Sequence, residues 1–292
     1  MDKPEILFPR KLEMINPALL EEVVALAIRE DLGDRGDITS DALLSPVKRI
    51  DHACVIAKEP GVICGADVAV YVYTRVDPEV RVTVRIADGQ NAAKGDTVLE
   101  ISGQPASITK GERISLNFLG LMSGIATKAR ELSSLVAGSG LRLLDTRKTL
   151  PGLREFQKYA VQVGGASNHR IGLYDMFLIK ENHIAAAGGV ARAVELAKRS
   201  IPDATVEIEV ETLEQVREAL MTGAEILMLD NMDNEKVKEA LGIIAGRKWV
   251  EVSGNITRER LPVLAALGVD FVSMGSLTHT LKPLDLSLLM DR

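Results

Sequence analysis

Residues 206–230 read VEIEVETLEQVREALMTGAEILMLD: an apolar run, an amphipathic stretch and a second apolar run. VEIEV and EILMLD have the length of strands, and LEQVREAL between them spaces its apolar residues as a helix does. The first run carries Glu209 near its end and the second ends on Asp230. The rhythm continues in both directions. Apolar runs end in polar or glycine residues at Asp145, Lys180, Glu209, Asp230, Ser253 and Gly275, with VARAVELAKRS, NEKVKEALGIIAG and TRERLPVLAALG among the intervening stretches. From Glu209 onward the spacing is a little over twenty residues, one strand plus one helix per unit. Such βα repetition predicts an α/β fold: a βα barrel, open or incomplete and TIM-like. Barrels of this kind carry their functional residues at the C-terminal strand ends, where these polar residues fall.

Before the repeat the pattern differs. Asn16 and Pro17 open a helix with Leu19, Leu20, Val23, Val24 and Ala27 on one stripe and Gly33 near its end. The acidic segment around Glu30, Asp31, Asp34 and Asp37 lacks the spacing of a calcium loop and predicts a capped turn at Asp37 or Thr39. His52 to Gly65 reads as a hairpin turning at Pro60-Gly61, residues 66 to 75 as a helix, and VRVTVRI (80–86) as a half-exposed strand. Residues 105–137 form a long helical segment in which Gly120 and Gly124, four apart, admit another backbone. Arg113, near its start, reads by itself as a solvated or capping arginine. The expected division is an N-terminal α+β sandwich domain at 1–125 and a barrel at 126–279. The segment 280–292, which has lost the repeat, returns to the first domain.

Composition removes several classes of function. The chain has 292 residues, is 46% hydrophobic and carries a formal charge of -6, enough to bury a large core and unsuited to non-specific binding of nucleic acid or anionic membrane. No apolar run could span a bilayer, and MDKPEILFPRKLEMINP has no continuous apolar core of a signal peptide. Two cysteines, Cys54 and Cys64, make a disulfide scaffold or a cysteine zinc site improbable. The expectation is a cytoplasmic protein.

Against the acidic background, residues 145–184 (DTRKTLPGLREFQKYAVQVGGASNHRIGLYDMFLIKENHI) are dense in positive charge. Arg147, Lys148, Arg154, Arg170 and Lys180 lie close in sequence to Gly164, Gly165, His169 and His183. A ligand with more than one carboxylate or phosphate is the simplest reason to gather these cations. In VEIEVE, Glu207, Glu209 and Glu211 share one face of a strand whose inward side needs a cation or a hydroxyl-rich ligand. Glu209 and Asp230 on adjacent strand ends suit Mg2+ with ribose hydroxyls, although Asp230 could also cap a helix. Ser253-Gly254-Asn255 and Met274-Gly275-Ser276 end the last two strands, where backbone N–H groups and serine hydroxyls suit a 5'-phosphate. His169 is either structural or a ligand-orienting or acid–base group, and His183 reads as a cap of the next element.

DTRKT-x-PGLR, the GG-x3-HR-x-GL-x-D run and LIK-x-NH together resemble quinolinate phosphoribosyltransferase, over nearly the whole chain and in the family's order. The resemblance implies transfer of phosphoribosyl from phosphoribosyl diphosphate (PRPP) to quinolinate with decarboxylation, giving nicotinate mononucleotide, diphosphate and CO2 in de novo NAD biosynthesis. It implies Thr146, Arg147, Lys148, His169, Arg170, Lys180, Glu209, Asp230 and the two late loops as binding residues, with Lys148, Glu209 and Asp230 in catalysis. Mg2+ at Glu209 and Asp230 is the implied cofactor. Arg113, in an ER-x-SLN-type motif, would reach the neighbouring subunit's site, making the protein a homodimer with further assembly left open.

Two rivals remain at this stage. A paralogue associated with molybdenum transport shares TRK, PG and HR but lacks the lysine of LIK, so Lys180 favours the quinolinate enzyme. A strand-end lysine such as Lys180 could instead form a Schiff base if burial lowered its pKa. Two residues depart from the family's usual pattern: Ala166 stands where many members have a third glycine, and Met274 where a smaller aliphatic is common.

Overall fold

The computed structural model of the chain describes residues 3, 5, 8, 14–47 and 49–291. Most of the stretch read for a signal peptide, and Arg292, lie outside these residues. The chain begins with helices α1 (Pro17–Leu32) and α2 (Ile38–Leu43), strands β1 (Asp51–Ala57) and β2 (Gly61–Val62), and helix α3 (Ala66–Val76). Strands β3 (Arg81–Val84), β4 (Asn91–Ala92) and β5 (Thr97–Gly103) lead to the long helix α4 (Pro105–Ser134). Then follow β6 (Arg142–Leu144), α5 (Arg154–Val163), β7 (Phe177–Ile179), α6 (Glu181–Ala187) and α7 (Val190–Ser200). Strands β8 (Val206–Val210), β9 (Ile226–Asp230), β10 (Trp249–Ser253) and β11 (Phe271–Ser273) alternate with α8 (Leu213–Leu220), α9 (Asn234–Ile244) and α10 (Arg260–Leu267). The short α11 (Ser276–His279) and β12 (Leu286–Met290) end the chain's regular structure.

These elements fall into two compact units that interleave along the sequence. The sheet unit takes the described residues of 12–130, 149–165 and 277–292, and the barrel unit those of 1–11, 131–148 and 166–276. These bounds differ from the expected 1–125 with 280–292 and 126–279 at 1–11, 126–130, 149–165 and 277–279. The segment 149–165 joins the sheet unit because of what α5 packs on. Phe156, fully buried, stacks on Phe118 of α4 with ring centroids 5.6 Å apart. Gly164 meets α4 so closely that a Cβ there would lie 2.4 Å from the Ala126 carbonyl oxygen. Arg130 locks the contact by donating from Nε to the Gly164 carbonyl at 3.0 Å.

The sheet unit holds a four-stranded antiparallel sheet in the order β12-β1-β5-β3. Its core gathers Val55, Ile63, Tyr73, Leu99, Ile101, Ile108 and Leu119, all essentially without solvent exposure. His52 to Gly65 is not a hairpin. β1 pairs with β5 and β12, whereas β2 pairs with β4 in a separate two-stranded ladder. The reason is ladder length: β5 and β12 offer β1 long runs of partners, and two-residue β2 could satisfy few of its backbone groups. The approach expected at Gly120 and Gly124 is made by residues 282–284. Leu284 donates to the Gly120 carbonyl at 2.9 Å, and a Cβ on Gly124 would lie 2.1 Å from the Lys282 carbonyl oxygen.

The barrel unit is a six-stranded parallel sheet ordered β6-β11-β10-β9-β8-β7, with no ladder between β6 and β7, so the barrel is open there. Alternation sets its layers. Val206, Ile208 and Val210 of β8, like Leu227 and Leu229 of β9, are buried on one face, and Glu207, Glu209, Met228 and Asp230 point to the other. That second face curls inward. Side chains on β8 and β10, two strands apart, would be separated by about 9.5 Å in a flat sheet, yet ligand atoms of Glu207 and Glu251 lie within 4.8 Å. The N-terminal ends of the strands are closed by Phe8, Ile226 and Phe271, packed with Leu144, Met176 and Trp249. Phe8 meets the Phe271 ring edge-on at 5.0 Å.

Candidate active site

A cavity of about 570 Å³ opens at the C-terminal strand ends of the barrel unit. β6 delivers Thr146, Arg147 and Lys148 just beyond its end, and β7 delivers Leu178 and Lys180. Glu209 comes from β8, Met228 and Asp230 from β9, and Ser253 and Ser273 from β10 and β11. Four cations, Arg147, Lys148, Arg170 and Lys180, thus share one cavity with two carboxylates, Glu209 and Asp230. The excess of positive charge suits a polyanionic ligand.

The carboxylates occupy one side. Lys180 forms an ion pair with Glu209, whose side chain is 13% exposed against 48% for the lysine. A paired, half-exposed ammonium is poorly placed to be a Schiff-base nucleophile. Asp230 accepts from Asn231 Nδ2 at 2.6 Å. Burial and then the charge of Glu209 raise its pKa above the ordinary aspartate value, while Lys180, Asn231 and Lys148 pull it back. Asp230 is not a helix cap, because Asp233 caps α9 by accepting from Lys236 N–H at 2.9 Å. Carboxylate oxygens of Glu209, Glu211 and Asp230 lie within 4.8 Å of one another. That set of hard oxygen donors, partly open to solvent, fits a Mg2+ ion that keeps waters.

Backbone strain marks the adjoining wall. Asn231 and Asn255 are non-glycine residues at φ 54 and 49, joined by a 3.1 Å bond from Asn255 Nδ2 to Asn231 Oδ1. Gly254 lies between Ser253 and Asn255 at φ 85, where a Cβ would fall 2.2 Å from Asn231 Oδ1. The loop is thereby held tightly beside the end of β9, with its backbone facing the cavity.

The other side is built on His169 and Arg170. Fully buried Asp145 accepts from His169 N–H at 2.9 Å and from Asn168 Nδ2 at 2.7 Å, fixing the segment after β6. Asp175 closes the following turn by accepting from the N–H of Ile171 at 2.7 Å and of Gly172 at 3.3 Å. Arg170 donates to the Met176 carbonyl at 3.4 Å. Burial, then repulsion by Arg147, pulls the Arg170 pKa down from its ordinary value, and Glu207 and Asp175 oppose this. His169 Nε2 faces Glu207 at 3.0 Å and Glu251 at 3.4 Å, both within ion-pair reach and neither aligned as a full hydrogen bond. Burial works against charge on this ring, and Glu251 and Glu207 outweigh it, so its proton affinity is raised.

The structure brings together Thr146, Arg147, Lys148, His169, Arg170, Lys180, Glu209, Asp230, Ser253, Gly254 and Asn255. The wall stops at Ser273, and Met274, Gly275 and Ser276 follow outside it. Arg154, counted with the cations by sequence proximity, lies on α5 in the sheet unit and donates to Thr149 Oγ1 at 3.1 Å. Arg113 also belongs to the sheet unit, in a groove of about 410 Å³ with Asn117 and Pro283. His183 caps as read, its Nδ1 accepting from Lys180 N–H at 3.0 Å. Ala166 is no strain: of residues 164–166 only Gly165 has positive φ. Sequence reasoning missed Leu178, Met228, Asn231 and Ser273 in the wall and Glu251 beneath it. The signal for Glu251 was present, a carboxylate in the middle of the apolar strand WVEVS.

Family models match the chain along most of its length: the quinolinate phosphoribosyl transferase N-terminal domain over residues 37–123 and the C-terminal domain over 125–289. A curated relative from Nicotiana tabacum, quinolinate phosphoribosyltransferase (decarboxylating) 2b, mitochondrial, is 40% identical over 291 residues, covering 93% of this chain and 82% of that protein. The probable nicotinate-nucleotide pyrophosphorylase (carboxylating) of Bacillus subtilis is 37% identical over 275 residues, covering 94% of each. Among solved structures, the nicotinate-nucleotide pyrophosphorylase from Francisella tularensis superposes with a TM-score of 0.93 at 38% identity, over 97% of this chain and 100% of that one.

Proposed function

The chain belongs to the quinolinate phosphoribosyltransferase family, and from that premise we propose that its barrel cavity transfers phosphoribosyl from PRPP to quinolinate and decarboxylates the adduct. The products are nicotinate mononucleotide, diphosphate and CO2, a step of de novo NAD biosynthesis. One observation carries the reading to residues: four cations and two carboxylates share one cavity of about 570 Å³. A planar dicarboxylate plus a phosphorylated sugar diphosphate supplies the anions those cations need, and the ribose supplies hydroxyls for the carboxylates.

Arg147, Arg170 and Lys180 clamp the two carboxylates of quinolinate and hold its ring nitrogen in line with the anomeric carbon. Lys148 attracts the departing diphosphate. Glu209 and Asp230 face the positive charge that develops on the ribose ring as the carbon–oxygen bond to diphosphate breaks and the bond to nitrogen forms. Glu209 and Asp230 would also hold Mg2+, which neutralises charge on the diphosphate when bound. Once ribosylated, the cationic ring takes up the electron pair released as the adjacent carboxylate leaves as CO2, and a proton replaces it. No decarboxylation cofactor is required by this balance. The loop Ser253-Gly254-Asn255 offers backbone N–H groups to the 5'-phosphate; Met274, whose N–H already donates to the Leu144 carbonyl at 2.9 Å, leads to Gly275 and Ser276 beyond the wall, the further candidates for that end. Arg113 completes the neighbouring subunit's site in a homodimer. The two cysteines, both free, suit a reducing compartment such as the cytoplasm.

The test is a steady-state assay of purified protein with Mg2+, PRPP and either quinolinate or nicotinate. Product from quinolinate alone supports the reading. Turnover of nicotinate at an equal rate, or no turnover of quinolinate by folded protein, would overturn it.

A further inference from the structure

Glu207 and Glu251 do not line the cavity, and both are fully buried. Two carboxylates placed side by side in an interior are costly unless something nearby answers them. None of their four oxygens has an aligned hydrogen-bond partner among the described residues. Both face His169 Nε2, at 3.0 and 3.4 Å.

The other ring nitrogen fixes the tautomer. The backbone N–H of Arg170 donates to His169 Nδ1 at 2.7 Å, which requires a lone pair there and so holds the ring neutral against the two carboxylates, which favour its charged form. The ring hydrogen is therefore on Nε2, the atom that faces both carboxylates, and neither nitrogen remains to meet a ligand. The ring is held from the remaining sides as well. Phe8 packs edge-on against it with centroids 5.0 Å apart, and Asp145 accepts the His169 backbone N–H. His169 thus touches the cavity while its polar atoms point into the protein.

We propose that Glu207 and Glu251 are positioning residues for the dicarboxylate end of the cavity: they orient His169 through Nε2, His169 holds the Arg170 amide through Nδ1, and the Arg170 guanidinium is thereby set where a substrate carboxylate arrives. The inference rests on the reading of the cavity given above. It also explains why two acids are kept beneath a cationic wall, since Glu207 supplies counter-charge to a buried Arg170 that Arg147 repels.

Glu251→Gln keeps the size of the side chain and removes one buried charge. The expected result is a KM for quinolinate raised about tenfold or more, a KM for PRPP within about twofold of wild type, and a thermal midpoint equal to or above wild type because a buried carboxylate has gone. Glu207→Gln is the second variant and moves the same way. A residue that served only to hold up the fold would instead lower the midpoint and raise both KM values together. The chain has 4 histidines, few enough to assign by 15N NMR, and wild type should show one ring with unprotonated Nδ1 and a slowly exchanging Nε2–H. An unchanged quinolinate KM in both variants, parallel rises for both substrates, or an Nδ1-protonated His169 overturns the proposal. Failure of wild type to turn over quinolinate would sink the reading of the cavity instead, and the NMR assignment then decides the positioning geometry by itself.

Discussion

At the scale of single residues, the cavity combines charges with backbone that only particular residues tolerate. Gly254 is the sharpest case. An alanine there would suffer at φ 85 and place its Cβ 2.2 Å from Asn231 Oδ1. Asn231 would have to move, breaking its bonds to Asn255 and Asp230. Gly254→Ala should therefore lower kcat/KM for PRPP by about tenfold or more, close to 1.4 kcal/mol, with a smaller change in the quinolinate KM; an unchanged PRPP profile would refute the role given to this loop. Lys180→Ala should act on the opposite substrate, raising the quinolinate KM by about a hundredfold while the midpoint shifts little, since the lost pair with Glu209 is partly exposed. The cations were legible because Arg147, Lys148, Arg170 and Lys180 crowd into a basic stretch of an acidic chain. Asn231 was not, because Asp-Asn is an ordinary turn dipeptide and only its positive φ and its bond to Asn255 distinguish it.

At the scale of elements, local signals were read well and partners poorly. α1 begins at Asn16-Pro17 and ends at Gly33, and α2 is capped by Asp37, which accepts from the N–H of Thr39 and Ser40. Its hydrogen bonds with Ser40 hold the Asp37 carboxyl below its ordinary 3.8, and burial opposes this weakly. A depressed pKa in the folded state means the cap stabilises above the unfolded value and stops doing so as the pH falls through the folded one. Asp37→Ala should cost about 0.5–1 kcal/mol at neutral pH, with the difference from wild type vanishing in acid; a cost that persists unchanged below pH 3.8 would contradict the assignment. Gly124→Ala separates packing from propensity. Alanine suits a helix better than glycine by about 1 kcal/mol, yet a Cβ 2.1 Å from the Lys282 carbonyl must push backbone aside. A net loss of about 2 kcal/mol in denaturant unfolding is expected, and any gain would refute the close approach. The misread hairpin has a physical cause: alternation reports which face of a strand is buried and says nothing of which strand lies beside it. α5 joins the sheet unit for a similar reason, since Phe156 and Gly164 meet α4, far away in sequence.

For the whole molecule, periodicity announced the barrel because each βα unit must bury its own apolar face, and the six parallel strands follow. The loss of the repeat after 279 marked the last segment, whereas the crossing of 149–165 into the sheet unit was not legible, because it is decided by contacts between distant segments. Assembly is testable with two dead variants. If Arg113 serves the neighbouring site, coexpressed Arg113→Ala and Lys180→Ala chains should recover about a quarter of wild-type activity, since half of randomly paired dimers carry one intact site of two. Recovery no greater than the sum of the separate variants would place Arg113 outside the shared site. The most direct measurement concerns the reaction itself. With Mg2+ and PRPP, quinolinate labelled in the carboxylate next to the ring nitrogen should release one labelled CO2 for each diphosphate formed, while label in the other carboxylate stays in the nicotinate mononucleotide. Diphosphate formed without labelled CO2, or label lost from the other carboxylate, would contradict the account of the cavity.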